Sequence, residues 1–279
     1  MITYLTDLGL SNNVSHENVQ EFLSPDGVLY VVMNRPEVQN AFNSEQIVLL
    51  TEALENAESN PEVKVVVLCG EGKNFCAGGD INYMQNMGQN SFQENKEDAL
   101  QLAHLMHTLN EFPKPTIARV NGAAYGGGVG LLCCCDMAFG TEDTKICLSE
   151  VKIGMVPATI APYVINAIGL RNAHRLMLTA EVMQGQEAVN CNFLNDIFPT
   201  TEFNEKVDAV ALKITTNAPN ALEITKSLLL NLAHQPIDES VIDYTADVIA
   251  NVRESDEGKE GLTSFLEKRK PSWSTQNSK

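Results

Sequence analysis

Two glycine clusters hold the residues from which chemistry could be built, "FCAGGDI" (75–81) and "NGAAYGGGVGL" (121–131). Each follows a strand-like run, and the second leads into a helix-like one. A glycine inside a regular element costs about 1 kcal/mol relative to alanine. Three together at Gly126–Gly128 therefore signal a tight turn, or something that must come closer to the backbone than a Cβ allows. Strand-to-helix turns leave N–H groups exposed, and two such turns facing one another would hold an oxyanion. Close helix–sheet packing explains a single cluster equally well. Neither cluster is a phosphate loop, since both G-x-x-x-x-G-K-[ST] and G-x-G-x-x-G are missing.

Other reactive side chains read as structural. Cys133, Cys134 and Cys135 are adjacent, and neighbouring side chains on a helix diverge, so they do not converge on one metal ion. The remaining cysteines sit in apolar runs such as "VVVLCG" and "KICL", as buried reduced thiols do. His104 and His107, three apart on a helix, read as a surface or core pair. The formal net charge of −17 and pI near 4.6 oppose nucleic-acid binding, which needs basic surface to neutralise phosphates. No apolar run approaches the roughly 18 residues of a membrane span. The first residues, "MITYLTDLGLSNN", lack the basic and apolar regions of a secretion signal. The expectation is a cytoplasmic protein.

The elements that must position the clusters follow from periodicity. "GVLYVVMN" (27–34) reads as a strand stopped by Arg35-Pro36. "NSEQIVLLTEALENAES" has helical spacing, with Asn43 or Ser44 as its cap. "EVKVVVLCG" is a buried strand that delivers the first cluster, and a polar helix spans 91–112. "KPTIARVNG" is a third strand, expected to end at the triple glycine, followed by short strands in "DMAFG" and "KICLSE". Beyond about 160 nearly everything reads as helix, including 204–216, 219–234, 238–251 and 256–268. Strands alternating with helices, then helices alone, indicate an α/β core with a helical tail. The chain divides into a poorly patterned leader (1–18), a core (19–200) and a C-terminal helical region (201–279). Both clusters fall at the carboxyl ends of strands, where open α/β sheets place their ligands.

Five segments in order then resemble the crotonase (enoyl-CoA hydratase/isomerase) superfamily: "NRPEVQNAF" (34–42), "FCAGGDI", "NGAAYGGGVGL", "LSEVKIGMVP" (148–157) and "FLEKRKPSW" (265–273). The resemblance runs from about Val28 to Trp273. It implies a spiral of repeated ββα units with a C-terminal helical trimerisation region, assembled as trimers or hexamers. It also implies acyl-CoA thioesters as substrates, with no cofactor beyond the CoA they carry. Carried over residue by residue, Gly79 and Gly127 supply the two N–H groups of an oxyanion hole. Glu150, four residues before Gly154, is a catalytic acid/base. Val38, Ala77, Gly78, Asp80, Ile81, Gly126 and Gly130 would line the acyl-CoA site. Phe265 and Lys268 would reach the CoA phosphates of a neighbouring subunit. Tyr125 precedes the hole and would only pack.

The sequence departs from the two-carboxylate hydratases at Gly130, where those enzymes carry a second Glu. One acid/base is enough to hydrate in sequence on one face, or to move a proton in a Δ3-Δ2 isomerisation. "LSEVKIGMVPATIAPYVINAIG" resembles the methylglutaconyl-CoA hydratase branch of leucine catabolism. The expectation is a lyase of hydratase/dehydratase type, acting on a β-methyl enoyl thioester whose distal carboxylate takes the space freed at Gly130. Lys152 or Arg171 would be that carboxylate's partner. A polyketide carrier-protein dehydratase and a non-catalytic RNA-binding relative are the other readings, the last opposed by the charge.

Overall fold

The computed structural model describes residues 1–13, 16–233 and 235–274. The chain opens with α1 (Ile2–Asp7), then β1 (Val19–Leu23) pairs antiparallel with β2 (Val28–Met33). Every residue of β2 and of β3 (Val65–Gly70) is buried, as expected for parallel strands covered on both faces. The main sheet continues in parallel through β4 (Thr116–Arg119), β6 (Met137–Gly140) and β9 (Asp196–Ile197), in the order β1-β2-β3-β4-β6-β9.

Helices cover this sheet. α2 (Ser44–Ser59) starts where the Asn43 side chain accepts the Gln46 N–H at 2.9 Å, so Asn43 is the cap. α3 (Ile81–Met87) leaves the first glycine cluster. α4 (Phe92–Asn110) begins with a reciprocal Ser91–Glu94 capping box. α5 (Gly127–Cys134) begins inside the triple glycine and is buried along most of its length.

Two expectations are corrected. The strand through "KPTIARVNG" stops at Arg119 and does not reach the triple glycine. The chain turns at Gly122, where a Cβ would lie 2.1 Å from the Lys73 carbonyl oxygen. It then enters a second sheet as β5 (Ala123–Tyr125), parallel to β7 (Lys145–Cys147), which pairs with β8 (Met183–Gln184). The described residues of the expected leader are not without pattern in space. Leu5 of α1 is fully buried in a cluster with Phe22, Tyr30, Val65 and Phe203, and the Tyr4 hydroxyl donates to Asp208 at 2.5 Å. A helix of six residues with one buried apolar side chain is too short to show a period.

The rest is helical, as the periodicity predicts. α6 (Ala161–Thr179), bent at Gly169, and the short α7 (Gln186–Asn190) complete the core. α8 (Phe203–Thr215) packs Phe203, Val207 and Ala211 under the main sheet. α9 (Pro219–Leu232), α10 (Glu239–Glu254) and α11 (Asp256–Leu266) extend beyond it. The end of the helix expected at His234 lies outside the described residues. α10 buries none of its residues, and Leu262, Phe265 and Leu266 of α11 are exposed. Among the described residues no helix is long and apolar enough to cross a membrane.

Candidate active site

The two glycine clusters meet across one cavity. Gly79 forms a parallel bridge with Phe42, in which the Phe42 N–H donates to Gly78 O at 2.7 Å and the Asp80 N–H donates to Phe42 O at 2.8 Å. Because alternate residues of an extended chain face opposite ways, these bonds leave the Gly79 N–H on the other side. Gly127 is the first residue of α5, a position whose N–H has no carbonyl partner inside the helix. Neither N–H meets a protein acceptor among the described residues. Gly79, Gly127 and Glu150 border the same cavity of about 170 Å³.

Glycine is required here by contact. A Cβ on Gly127 would stand 2.7 Å from Phe42 Cε2, and one on Gly128 would stand 2.6 Å from the Cys76 carbonyl oxygen. Gly126 holds φ at +50° and donates its N–H to Cys147 O at 3.0 Å. A Cβ on it would lie 3.2 Å from Glu150 Oε1, so this glycine makes room for the carboxylate.

Glu150 begins a short 3-10 turn (Glu150–Ile153) that follows β7 and closes at Gly154, φ +75°, where the backbone turns left-handed. That closure is why a glycine sits four residues after the acid. Glu150 Oε2 is buried without a hydrogen-bond partner. Burial pushes the Glu150 pKa above its ordinary value of 4.5, because an ionised carboxylate loses hydration there. Two free N–H donors and a desolvated carboxylate around one cavity can stabilise an enolate and move a proton beside it.

The other expected site residues divide. Gly78, φ +94°, approaches the Tyr125 carbonyl, and its own carbonyl is used by Phe42, so it shapes the turn. Asp80 does not face the cavity. Burial opposes its charge, but the Arg35 guanidinium at 2.9 Å and the Asn82 N–H hold its pKa below the usual carboxylate value. It pins the loop that presents Gly79. Ala77 donates its N–H to Gln39 O, Val38 lies in the turn at Pro36–Val38, and Ile81 is exposed at the start of α3. None of the three borders the cavity. Phe265 and Lys268 sit at the exposed end of α11, away from this chain's own cavity.

Gly130 is the main correction. It is buried, and a Cβ there would lie 2.3 Å from Ile160 Cγ2 and 3.1 Å from the Met106 sulfur. The volume expected to be free for a substrate carboxylate is filled by these two side chains. Lys152 and Arg171 are exposed, and neither borders the cavity. Tyr125 borders a different and larger cavity of about 700 Å³, which none of Gly79, Gly127 and Glu150 reaches. His104 is exposed, 3.9 Å from Glu55. All seven cysteines are unpaired. Among the described residues no group of three potential ligands surrounds a metal position.

The sequence reading missed Tyr83 and Asp98, which also border the cavity and hydrogen-bond to each other. Asp98 lies in a helix read simply as polar, and nothing in its spacing singles it out.

Comparison with known proteins agrees with this arrangement. The profile of the enoyl-CoA hydratase/isomerase family matches residues 24–276. Crotonyl-CoA hydratase of Syntrophomonas wolfei is 31% identical over 245 residues, 87% of this chain and 92% of that protein. The peroxisomal Delta(3,5)-Delta(2,4)-dienoyl-CoA isomerase of Arabidopsis thaliana is 29% identical over 257 residues, 88% of this chain and 91% of that protein. The crystal structure of an enoyl-CoA hydratase from Shewanella pealeana superposes with a TM-score of 0.89 at 40% identity, covering 92% of this chain and 96% of that one. The agreement spans the core and the helical tail alike, and this chain is an enzyme that belongs to the enoyl-CoA hydratase/isomerase, or crotonase, family.

Proposed function

We propose that the enzyme adds water across the Cα=Cβ bond of a 2-enoyl-CoA thioester, with Glu150 as its single acid/base. The observation that carries this reading is the buried, unpartnered Glu150 Oε2 on a cavity shared with the free N–H groups of Gly79 and Gly127. Ionised Glu150 takes a proton from water as the water oxygen bonds to Cβ. The double-bond electrons move toward the thioester oxygen, where the two N–H groups receive the enolate charge. Glu150 then returns the proton to Cα on the same face, and the thioester carbonyl reforms. A pKa raised by burial suits a group that must both take and give a proton.

The same parts serve a second reading, Δ3-Δ2 isomerisation, in which Glu150 carries a proton between Cα and Cγ. The observation favouring it is Gly130 at the position where two-carboxylate hydratases carry their second Glu, since isomerisation needs only one. A neutral acyl group has better support than 3-methylglutaconyl-CoA, and so does a role outside leucine catabolism. Ile160 and Met106 fill the space at Gly130, and no Lys, Arg or His borders the cavity among the described residues. Those two points also weigh against a carrier-protein substrate with a distal carboxylate.

We infer a homotrimer or homohexamer built through the C-terminal helices. Leu262 (63% exposed), Phe265 (79%) and Leu266 (70%) form an apolar end that a second copy would cover. Beside it Arg269 is bound by Glu260 and Glu267. Lys268 has no ion-pair partner among the described residues, which leaves it for a neighbour's CoA phosphates. A cytoplasmic location is supported by seven unpaired cysteines.

Incubation with a panel of enoyl-CoA esters, with products identified by mass, tests the function. Gain of one water supports hydration. Unchanged mass with a displaced double bond replaces it by isomerisation, and no conversion of any ester overturns both.

A further inference from the structure

The catalytic cavity is short for a long acyl chain. At about 170 Å³ it is little larger than the cavities of about 150 Å³ that hold one benzene. Met84, Asp98, Leu102, Ile153, Met155 and Thr159 border both this cavity and a second of about 610 Å³ beside α3 and α4, so the two adjoin along one shared wall. Ile153 and Met155, at the junction, are 65% and 55% exposed. Apolar side chains left open in this way beside a reactive centre mark a surface that a ligand covers.

The junction carries one acidic group among the described residues. The Tyr83 hydroxyl of α3 donates to the Asp98 carboxylate of α4, which fixes that carboxylate on the shared wall. Among the described residues no Lys, Arg or His borders either cavity. A second carboxylate brought to this wall would lose hydration, meet Asp98 and find no cation.

We propose that the second cavity takes the tail of a neutral acyl chain longer than about six carbons, and that Asp98, positioned by Tyr83, makes the enzyme discriminate against chains ending in a carboxylate. This rests on the enoyl-CoA reading above and names the substrate class within it. The chain length and the charge are carried by different residues, so each half can fail separately.

The test compares crotonyl-CoA, 2-decenoyl-CoA and the ω-carboxy form of 2-decenoyl-CoA on the whole enzyme. Wild type should favour the neutral ten-carbon ester over its ω-carboxy form by about 100-fold in kcat/KM, since an opposed like charge costs several kcal/mol. Asp98→Asn, nearly isosteric, should shrink that ratio at least about 10-fold by improving the ω-carboxy ester. Ala99 borders the second cavity and not the first. Ala99→Phe should lower the decenoyl-to-crotonyl ratio about 10-fold, as an obstructed apolar subsite does. A ratio unmoved by Asp98→Asn overturns the role of Asp98, and one unmoved by Ala99→Phe overturns the role of the second cavity. Calorimetric binding of saturated decanoyl-CoA and its ω-carboxy form gives the same comparison without chemistry. If no ester turns over but that binding preference holds, the reaction assigned above fails and this inference stands. If turnover proceeds with no preference in rate or binding, this inference fails alone. Thermal unfolding of both variants confirms that each is folded.

Discussion

Two carboxylates in this molecule are withdrawn from water and opposite in use: Asp208 is a buried residue, and Glu150 is half-buried with its Oε2 atom out of solvent. Asp208, under the main sheet, accepts the Tyr4 hydroxyl at 2.5 Å on one oxygen and the Tyr30 hydroxyl at 2.9 Å on the other. Glu150 leaves Oε2 without a partner, on a cavity. Desolvation pushes both pKa values up, and at Asp208 the two hydroxyls and Arg119 oppose the rise. A satisfied buried carboxylate ties elements together, here α1, β2 and α8. An unsatisfied one beside free N–H donors carries a cost that folding does not recover, which points to a ligand.

The largest expected break in that contrast is at Glu150 itself. Glu150→Gln should lower kcat by about 10²–10⁴-fold with the fold retained, because the amide keeps the shape but cannot cycle a proton. Steady-state assay beside circular dichroism checks it, and more than half of wild-type activity would remove Glu150 from the mechanism. In wild type, activity should fall with acid as pH drops through a pKa lying above 4.5, since the ionised form begins the reaction.

Next in size is Gly127→Val. It inserts a side chain where Phe42 Cε2 already stands 2.7 Å from a Cβ position, and it moves one donor away from the oxyanion. A lost donor of this kind costs about 2.7–4 kcal/mol of transition-state stabilisation. The loss in kcat/KM should far exceed the change in thermal stability. Equal losses in both would assign the glycine to packing.

Gly130→Glu separates a missing catalyst from a filled core. The new side chain collides with Ile160 and Met106, so unfolding in urea should show a loss of at least about 1–3 kcal/mol from overpacking. Turnover of crotonyl-CoA should not rise. A folded variant with a large gain would mean that the cavity extends to this position.

At the other carboxylate the expected pattern reverses. Asp208→Ala strands the buried Tyr30 hydroxyl and the half-buried Tyr4 hydroxyl, at a cost of about 1–3 kcal/mol in stability, while KM and kcat on crotonyl-CoA stay close to wild type. Denaturant melts and kinetics on the same preparation decide this.

The smallest effect is a stability gain in Glu150→Gln. The folded state binds the Glu150 proton more tightly than the unfolded chain, because its pKa lies above 4.5 when folded. The ionised carboxylate therefore costs stability above the folded pKa, and the cost vanishes below about pH 4.5. The melting temperature of the variant should exceed wild type at neutral pH, and the two should converge in acid. Convergence at every pH would show that Oε2 is satisfied in solution.

The sequence by itself determined the elements whose pattern is long or chemically marked. The all-apolar runs of β2 and β3, the capped helices α2 and α4, and the α/β core with its helical tail are legible because each repeats a local signal over many residues. The family motifs likewise singled out Gly79, Gly127 and Glu150, since five short segments in the family's order carry them. Only the tertiary structure decided what depends on residues far apart in the chain. α1 and the two-residue strands β8 and β9 are too short for a period, and they exist because the core accepts them. Asp80 looked like a binding residue until Arg35 was found against it. Gly130 looked like free space until Ile160, thirty residues on in the chain, was found to occupy it. Asp98 lies on a helix read simply as polar, and the fold turned it to the cavity that Glu150 borders. A sequence records which side chains are present, but volume and charge at a site are set by neighbours that only folding brings together.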